Sequence, residues 1–259
     1  MGRRVQTLRN MRSVQERGLG ARIQHQIVDP EEKRRYVRRL FGGIAGRYDL
    51  TNDVMSGGLH RRWKQLALQI ADIREGHVLL DLAAGTGDFA LRAAREGRVE
   101  RVIAGDLTVE MLRAGKTREH AEVVDWLACD ALSLPFADRT VDRVMVGYGL
   151  RNFVDLPQGL SEIRRVLRPG GKLVALDFGR IEPKWLDGLY LRYLEISTSV
   201  AGWALHRNVE SYRYIPESLR TYPAQRGVTE LMQRLGFVHC GHVDLVYGAM
   251  AINFGEIPD

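Results

Sequence analysis

The stretch VLLDLAAGTGDFA, residues Val78–Ala90, places an acid and two glycines directly after a run of aliphatic residues. Gly85 and Gly87 would let the chain turn tightly from a strand into a helix and let a ligand approach the backbone. With Ala90 they satisfy a loose G-x-G-x-x-A dinucleotide pattern. That pattern is weak by itself, because a tight turn that binds nothing explains it too. The chemistry of the turn therefore depends on the acids around it.

Two acids near this turn narrow the choice of ligand. Asp81 lies four residues before Gly85, where a carboxylate disfavours a pyrophosphate and suits a cationic amino group. Asp106 ends the next predicted strand, 19 residues after Gly87, which matches the spacing of an acid that accepts hydrogen bonds from ribose hydroxyls. NAD would explain Asp106 but would leave Asp81 facing a ligand of the wrong charge.

A third acid, Asp130, lies in the segment CDALSLPF after the third predicted strand. Its carboxylate could accept a hydrogen bond from the exocyclic amine of adenine, with Ala131 and Leu132 against the ring. The three acids together fit a nucleoside that carries a cationic amino acid. The sequence therefore predicts S-adenosylmethionine as the bound cofactor.

Strands and helices alternate along the middle of the chain, which indicates an α/β fold with a doubly wound, mostly parallel sheet. Several predicted strands are continuous apolar runs, as buried parallel strands are. The last strands are predicted to lie around Gly248 and to form an antiparallel C-terminal edge. The predicted strands are 77–82, 101–106, 123–128, 141–147 and 172–178, and the predicted helices are 59–70, 88–96, 108–116, 157–167 and 225–235.

The rest of the chain is predicted to be a flexible basic arm, residues 1–28, and a single domain, residues 29–259. Asp29 can cap the first helix, and N-terminal helices are expected over 29–72. An aromatic-rich stretch over 181–222 is predicted to be a helical insert that covers the substrate cavity.

The net charge of +6 is unevenly distributed, because residues 1–40 carry +7 and the remainder carries −1. A near-neutral body argues against a nucleic-acid-binding face on the domain. The arm itself can contact anionic lipid or nucleic acid, or can be a solubilising tail, and the sequence leaves these alternatives open. The most apolar segment, Trp185–Leu205, contains Asp187, Arg192 and Glu195 and is therefore not predicted to span a membrane.

Longer motifs make a family resemblance specific. The segments LDLAAGTGD, GDLTVEML, LPFADRTVD and IRRVLRPGGKLVALDF resemble the successive motifs of Rossmann-like class I methyltransferases. The segments RYDLTNDVMSGGLHRRWK, GYGLRNFVD and SYRYIPESLRTYPAQ resemble the ubiquinone/menaquinone biosynthesis C-methyltransferase family, from about Glu32 to the end of the chain. Two departures are small: Gly147 stands where the family often has Ser, and Asp177 where Glu is usual.

The resemblance implies C-methylation of a prenylated hydroquinone, with demethylmenaquinol as the first candidate acceptor. A benzoquinol of ubiquinone synthesis, or another apolar small molecule, stays open as the acceptor. A binding module without activity is the rival from another class. Methyl transfer from a sulfonium needs no metal and no covalent nucleophile, since the protein only has to align the carbon and exclude water.

The GLRN segment, Gly149–Asn152, follows the fourth predicted strand, at the edge where open α/β sheets bind ligands. Arg151 and Asn152 are candidate catalytic residues that could bind the acceptor's oxygens, although an exposed arginine and a helix cap would explain them equally well. Arg151 is a poor base because its pKa exceeds about 12, so it would stabilise a phenolate or orient a water. Tyr48, the third candidate, could orient or deprotonate a ring hydroxyl, or simply belong to a turn. The resemblance favours the functional interpretation of all three.

The candidate site comprises two groups of residues. The cofactor group is Asp81, Gly85, Thr86, Gly87, Asp106, Leu107, Asp130, Ala131 and Gly147. The acceptor group is Tyr48, Asn52, Arg151, Tyr212 and Tyr214.

No metal site is predicted, because His239 and Cys240 would face opposite sides of a strand and His242 alone is insufficient. The expected partners are the prenylated quinone and, transiently, a membrane surface, with no nucleic acid; a homodimer stays open. The expected location is the cytoplasm, at the inner face of the membrane.

Overall fold

The computed structural model describes residues 29–47, 53, 56–97, 99–182, 186–190, 192, 194 and 210–259. These residues form a seven-stranded sheet with the strand order β3-β2-β1-β4-β5-β7-β6. The strands are β1 His77–Leu82, β2 Val99–Asp106, β3 Asp125–Ala128, β4 Val141–Gly147, β5 Leu167–Phe178, β6 Val238–Leu245 and β7 Met250–Glu256.

Strands β1 to β5 run parallel, and β7 lies antiparallel between β5 and β6. The predicted α/β fold and its antiparallel C-terminal edge are therefore confirmed. The strand order reverses at β1, which pairs with β2 on one side and with β4 on the other. Sheets of this type bind ligands at the carboxyl ends of the strands that flank such a reversal.

Helices cover both faces of the sheet. The described helices are α1 Pro30–Ile44, α2 His60–Ala71, α3 Asp88–Glu96, α4 Val109–Gly115, α5 Leu156–Val166, α6 Glu210–Thr221 and α7 Ala224–Arg234. Helix α1 begins at the predicted cap, because the side chain of Asp29 accepts a hydrogen bond from the amide of Glu32 at 2.8 Å. The division of the chain into an arm and a single domain stays a prediction.

The core consists of two apolar layers, one on each face of the sheet. In β1, Leu80 and Leu82 pack into one layer, and Leu79 packs into the other. This alternation follows from the two-residue period of a strand. Helices α5 and α7 cover the first layer, and α2 and α3 cover the second. Both faces of the central strands are therefore buried, as their continuous apolar sequences predict.

Three predicted strands have different boundaries in the structure. Strand β2 begins at Val99 rather than at 101, because Val99 already pairs with His77. Strand β3 begins at Asp125 rather than at 123, because Ala121–Val123 forms a 3-10 turn. Strand β5 begins at Leu167 rather than at 172, because Leu167 already pairs with Val141 before the register shifts. The Pro-Gly-Gly sequence that follows is typical of a turn, and long-range pairing overrides that local signal.

Some predicted residues lie outside the described residues. They include Tyr48, Asn52 and the basic arm 1–28. They also include 183–185, 191, 193 and 195–209 of the predicted helical insert. Within the part of the chain that the structure describes, no helix is long and apolar enough to cross a bilayer.

Candidate active site

The turn after β1 requires both of its glycines. Gly85 and Gly87 have φ angles of +58° and +76°, in the left-handed region that side chains other than glycine rarely adopt. A Cβ atom on Gly87 would also lie 2.5 Å from the ring of Trp126. Thr86, between the glycines, is buried, and Arg118 donates to both its carbonyl oxygen and its hydroxyl at 3.2 Å. The turn is thus held rigidly before α3 begins.

Asp106, at the end of β2, joins this turn to the next strand. One carboxylate oxygen accepts from the amide of Gly85 at 2.8 Å, and the other accepts from the amide of Thr108 at 2.7 Å. Burial raises the pKa of Asp106. The side chain of Thr108 and the amide of Leu107 also donate to this carboxylate. Binding of the two ribose hydroxyls by Asp106 stays a prediction.

Asp81 has a different environment from the one the sequence suggests. Its side chain is buried, and its Oδ2 accepts a hydrogen bond from the amide of Ala90 at 2.9 Å. Burial raises the pKa of Asp81 to about 7. The carboxyl group therefore anchors the first turn of α3, and among the described residues it does not line the cavity described next. Its contact with a donor amino group stays a prediction.

A cavity opens at the carboxyl ends of β1, β2 and β4, where the strand order reverses. Its empty volume, including space open to solvent, is about 740 Å³. Of the predicted residues, the ones that line it are Gly85, Asp106, Leu107, Asp130, Ala131, Leu132, Gly147 and Asn152.

The position of Gly147, where the resembled family often has Ser, has a steric explanation. A Cβ atom on Gly147 would lie 2.8 Å from the ring of Phe89, which is buried beneath the cavity. With glycine here the backbone itself forms the cavity wall. The glycine wall and the carboxylate of Asp106 at this cavity fit the nucleoside of S-adenosylmethionine.

Helix α1 covers part of this cavity. Arg34 forms an ion pair with Oδ2 of Asp130 at 2.9 Å, while Oδ1 accepts from the amide of Leu132 at 3.0 Å. Val37 and Phe41, on the same helix, add apolar wall. The sequence predicts this helix but gives no signal that it contacts a loop almost 100 residues later. Arg34 is therefore a site residue that sequence reasoning missed.

Arg151 is buried in an ion pair. Its Nη1 lies 2.7 Å from Oδ1 of Asp177, and its backbone amide donates to the other carboxylate oxygen at 3.3 Å. The same Nη1 donates to the carbonyl of Tyr148 at 2.9 Å, and the guanidinium lies 4.8 Å from the ring centre of Phe178. Arg151 thus contacts β5, and it is not among the described residues that line the cavity.

Asn152 is the residue of this turn that lines the cavity. Its Nδ2 donates to the carbonyl of Tyr148 at 3.1 Å, and its Oδ1 accepts from the hydroxyl of Tyr214 at 3.1 Å. Tyr214 on α6 is buried against the ring of Tyr36, with 5.5 Å between ring centres, and burial raises its pKa. The structure therefore brings Asn152 and Tyr214 together. Tyr212 lies on α6 too, but its side chain is not among those described.

Within the described ranges, no group of three His, Cys, Asp or Glu side chains could hold a metal ion. Instead, His239 lies 2.9 Å from a carboxylate oxygen of Glu256, and His242 lies 3.1 Å from the hydroxyl of Thr229. The absence of a metal from the reaction stays a prediction.

Comparison with known proteins identifies the family. The ubiE/COQ5 methyltransferase family model matches residues 28–256. The ubiquinone/menaquinone biosynthesis C-methyltransferase UbiE of Methylococcus capsulatus is 38% identical over 233 residues, which cover 88% of this chain and 94% of the relative. The UbiE of Acidiphilium cryptum is 40% identical over 228 residues, which cover 86% of this chain and 91% of the relative.

Solved structures support the fold. Haemonchus contortus phosphoethanolamine N-methyltransferase 2 with S-adenosylhomocysteine matches with a TM-score of 0.58 at 16% identity, over 76% of this chain and 53% of that chain. An S-adenosylmethionine-dependent methyltransferase from Aquifex aeolicus matches with a TM-score of 0.53 at 17% identity, over 75% and 89%. The predicted fold and enzyme class, an S-adenosylmethionine-dependent methyltransferase, are therefore confirmed. This chain belongs to the ubiE/COQ5 methyltransferase family.

Proposed function

We propose that this methyltransferase methylates a ring carbon of a reduced prenylated quinone, with demethylmenaquinol as the first candidate acceptor. The observation that carries the proposal is the shared cavity: Asn152, from the candidate acceptor turn, lines the same space as Asp106 and Gly85. Donor and acceptor groups would therefore meet at the carboxyl ends of β1 and β4. A benzoquinol or another apolar small molecule is the alternative acceptor.

The residues of the donor half have distinct proposed roles. The carboxylate of Asp106 accepts hydrogen bonds from the two ribose hydroxyls. The backbone at Gly85 and Gly147 allows the nucleoside to lie close to the sheet, since neither position carries a side chain. Asp130 and Ala131 form the adenine end of the cavity, which Arg34 covers.

S-adenosylmethionine supplies a methyl group that is already electrophilic, so this chain has to supply alignment and proton removal. A new bond from the ring carbon to the methyl carbon forms as the sulfur–methyl bond breaks. The ring hydroxyl gives up a proton as the carbon attacks, and the methylated carbon then loses its own proton while the oxygen takes one back, so one proton is released in net. We propose that Asn152 and Tyr48 bind the ring oxygens, and that Tyr214 orients the carboxamide of Asn152 through its hydroxyl.

Arg151 has a proposed role that differs from that of a base. The guanidinium stays protonated, as arginine side chains do in proteins, and its pairing with Asp177 keeps it on β5. From there its charge stabilises the phenolate form of the acceptor, and its bond to the Tyr148 carbonyl fixes the turn that carries Asn152.

A panel of acceptors tests this function. Purified protein is incubated with isotope-labelled methyl donor and, separately, with reduced demethylmenaquinol, a reduced demethylated benzoquinol and a sterol. Mass spectrometry then identifies the product. We expect label in the naphthoquinol product above all. Label only in the sterol would contradict the proposal and favour the alternative acceptor class.

We also propose that the enzyme contacts a membrane surface from the cytoplasm, because a prenylated acceptor partitions into lipid. Three apolar side chains support this surface: Leu189, Val246 and Tyr247 are 58%, 50% and 88% exposed. The turn that carries Val246 and Tyr247 lies beside Phe178, at the carboxyl end of β5. This turn is therefore on the same edge of the sheet as the cavity. Leu189 lies near it, because the hydroxyl of the adjacent Tyr190 donates to the carbonyl of Ala249 at 3.1 Å. The six arginines of the basic arm would add attraction to anionic lipid.

A further inference from the structure

Lys33, on α1, reaches across to the turn that carries the candidate acceptor residues. Its Nζ donates to the carbonyl oxygen of Phe153 at 2.6 Å and to that of Arg151 at 3.4 Å. These partners are 118 and 120 residues away in the sequence. The side chain is only 9% exposed, so the ammonium is buried between the helix and the turn.

The buried charge of Lys33 is compensated by carbonyl dipoles. Among the described residues, no carboxylate forms an ion pair with this ammonium, and burial lowers the pKa of Lys33 to about 8. The two carbonyls lie at the C-terminal end of the Leu150–Asn152 3-10 turn. Backbone carbonyls at the C-terminal end of a helical segment attract cations. A methionine of similar length would fill this space without the desolvation cost. Packing alone therefore does not require an ammonium at this position.

The turn that Lys33 holds includes Asn152. The amides of Asn152 and Phe153 donate back within the turn, to Gly149 and Leu150 at 2.9 and 3.1 Å. Fixing the Phe153 carbonyl thus fixes the backbone on both sides of the Asn152 carboxamide.

The neighbours of Lys33 connect the same helix to both halves of the cavity. Arg34 pairs with Asp130 on the donor side, while Tyr36 packs against Tyr214 on the acceptor side. Lys33, on the same helix, binds the acceptor turn directly.

We propose that Lys33 is a positioning residue for methyl transfer: its ammonium holds the 149–153 turn against α1 and so fixes the Asn152 carboxamide at the acceptor side of the cavity. The inference rests on the proposed function for its effect on turnover, but the positioning itself can be measured without an acceptor.

The experiment compares Lys33→Met with Lys33→Arg, which keeps a cationic donor, and with Arg38→Met, an exposed change on the same helix. Hydrogen exchange reports on the amides of Asn152 and Phe153, and calorimetry gives the affinity for S-adenosylhomocysteine. Steady-state kinetics with the best acceptor of the panel separates kcat from the acceptor KM.

We expect Lys33→Met to exchange these two amides about tenfold faster, with β4 amides unchanged, because only the local opening free energy falls. Its kcat should fall at least tenfold because the near-attack geometry is lost, while donor affinity stays within about threefold and thermal stability stays near wild type. Lys33→Arg should recover part of both effects, and Arg38→Met should show neither.

Wild-type exchange at Asn152 and Phe153 in Lys33→Met would overturn the proposal, whatever the activity. Equal acceleration of exchange throughout β4 would also overturn it, because Lys33 would then only stabilise the fold. If wild-type protein methylates no acceptor, the proposed function fails, and the exchange result alone still decides whether Lys33 positions the turn.

Discussion

The guanidinium of Arg151 lies 2.7 Å from the carboxylate of Asp177, and both side chains are only 4% exposed. This contact joins the turn after β4 to the end of β5. Two charges so deeply buried are tolerated because each compensates the other. The pair therefore determines where the candidate acceptor turn lies relative to the sheet.

Breaking this ion pair should destabilise the protein. Arg151→Met leaves the Asp177 carboxylate buried and uncompensated, which we expect to cost about 3–5 kcal/mol of unfolding free energy. Arg151→Met combined with Asp177→Leu should recover most of that loss, since no charge remains buried. Urea unfolding measures both variants.

Turnover should respond differently from stability. Both the single and the double variant should lose at least tenfold in kcat, because neither carries the charge that stabilises the acceptor phenolate. Wild-type turnover in the double variant would show that Arg151 acts only through folding.

The central elements of the fold could be predicted from the sequence because their signals are local. Strand β4 and helix α3 have the predicted bounds, since a mostly apolar segment that ends at a glycine and a glycine-bounded amphipathic stretch define them. The strand order could not be predicted from residue patterns. Which strands pair depends on contacts between distant segments, which leave no local signal in the sequence.

The candidate site was predictable where it follows a motif. Asp106 and Gly85 come directly after strands, and the structure joins them by one hydrogen bond at 2.8 Å. Lys33 and Arg34 were missed because a basic face on a helix usually indicates solvent exposure. Their partners, the Phe153 carbonyl and a carboxylate more than 90 residues away, have no local sequence signal.

Asp106→Asn should weaken donor binding. The amide keeps the shape of the carboxylate but loses the charge and half of the acceptor capacity for the ribose hydroxyls. Two charge-assisted hydrogen bonds weaken together, so we expect the Kd for the donor to rise roughly 10- to 100-fold. Calorimetry measures this, with Asp125→Asn, an exposed acid on β3, as the control. Equal Kd values for wild type and Asp106→Asn would refute the assignment.

Stability should fall with rising pH because of Asp81. In the unfolded chain this carboxyl loses its proton near pH 4, whereas burial in the folded protein raises its pKa to about 7. The folded state therefore binds more protons between these values, and stability decreases by up to about 1.4 kcal/mol per pH unit across that window.

Asp81→Asn removes this titration. Urea unfolding at pH 5 and at pH 7.5 should show the variant gaining stability relative to wild type as the pH rises. Parallel pH profiles would mean that the carboxyl of Asp81 titrates normally in the folded protein.

The exposed apolar surface should contribute to membrane contact. Leu189→Ser combined with Tyr247→Ser removes two large side chains, each worth roughly 1.5–3 kcal/mol when fully buried. In flotation with anionic phospholipid vesicles at low salt, this double variant should be recovered with the vesicles several-fold less than wild type.

The matched control for that surface is Val123→Ser. Val123 is 59% exposed, but it precedes β3 and lies at the amino-terminal edge of the sheet. Its flotation should equal that of wild type. Equal recovery of all three proteins with the vesicles would contradict the proposal that the apolar surface at the cavity edge contacts the membrane.

The most direct test of the account locates the transferred methyl group. Wild-type protein is given a donor with a deuterated methyl group and reduced demethylmenaquinol, and the product is fragmented by tandem mass spectrometry. We expect the intact deuterated methyl group on a ring carbon, with neither ring oxygen methylated. Label on a ring oxygen would contradict methylation of a ring carbon. Absence of label from every acceptor of the panel would contradict the proposed function as a whole.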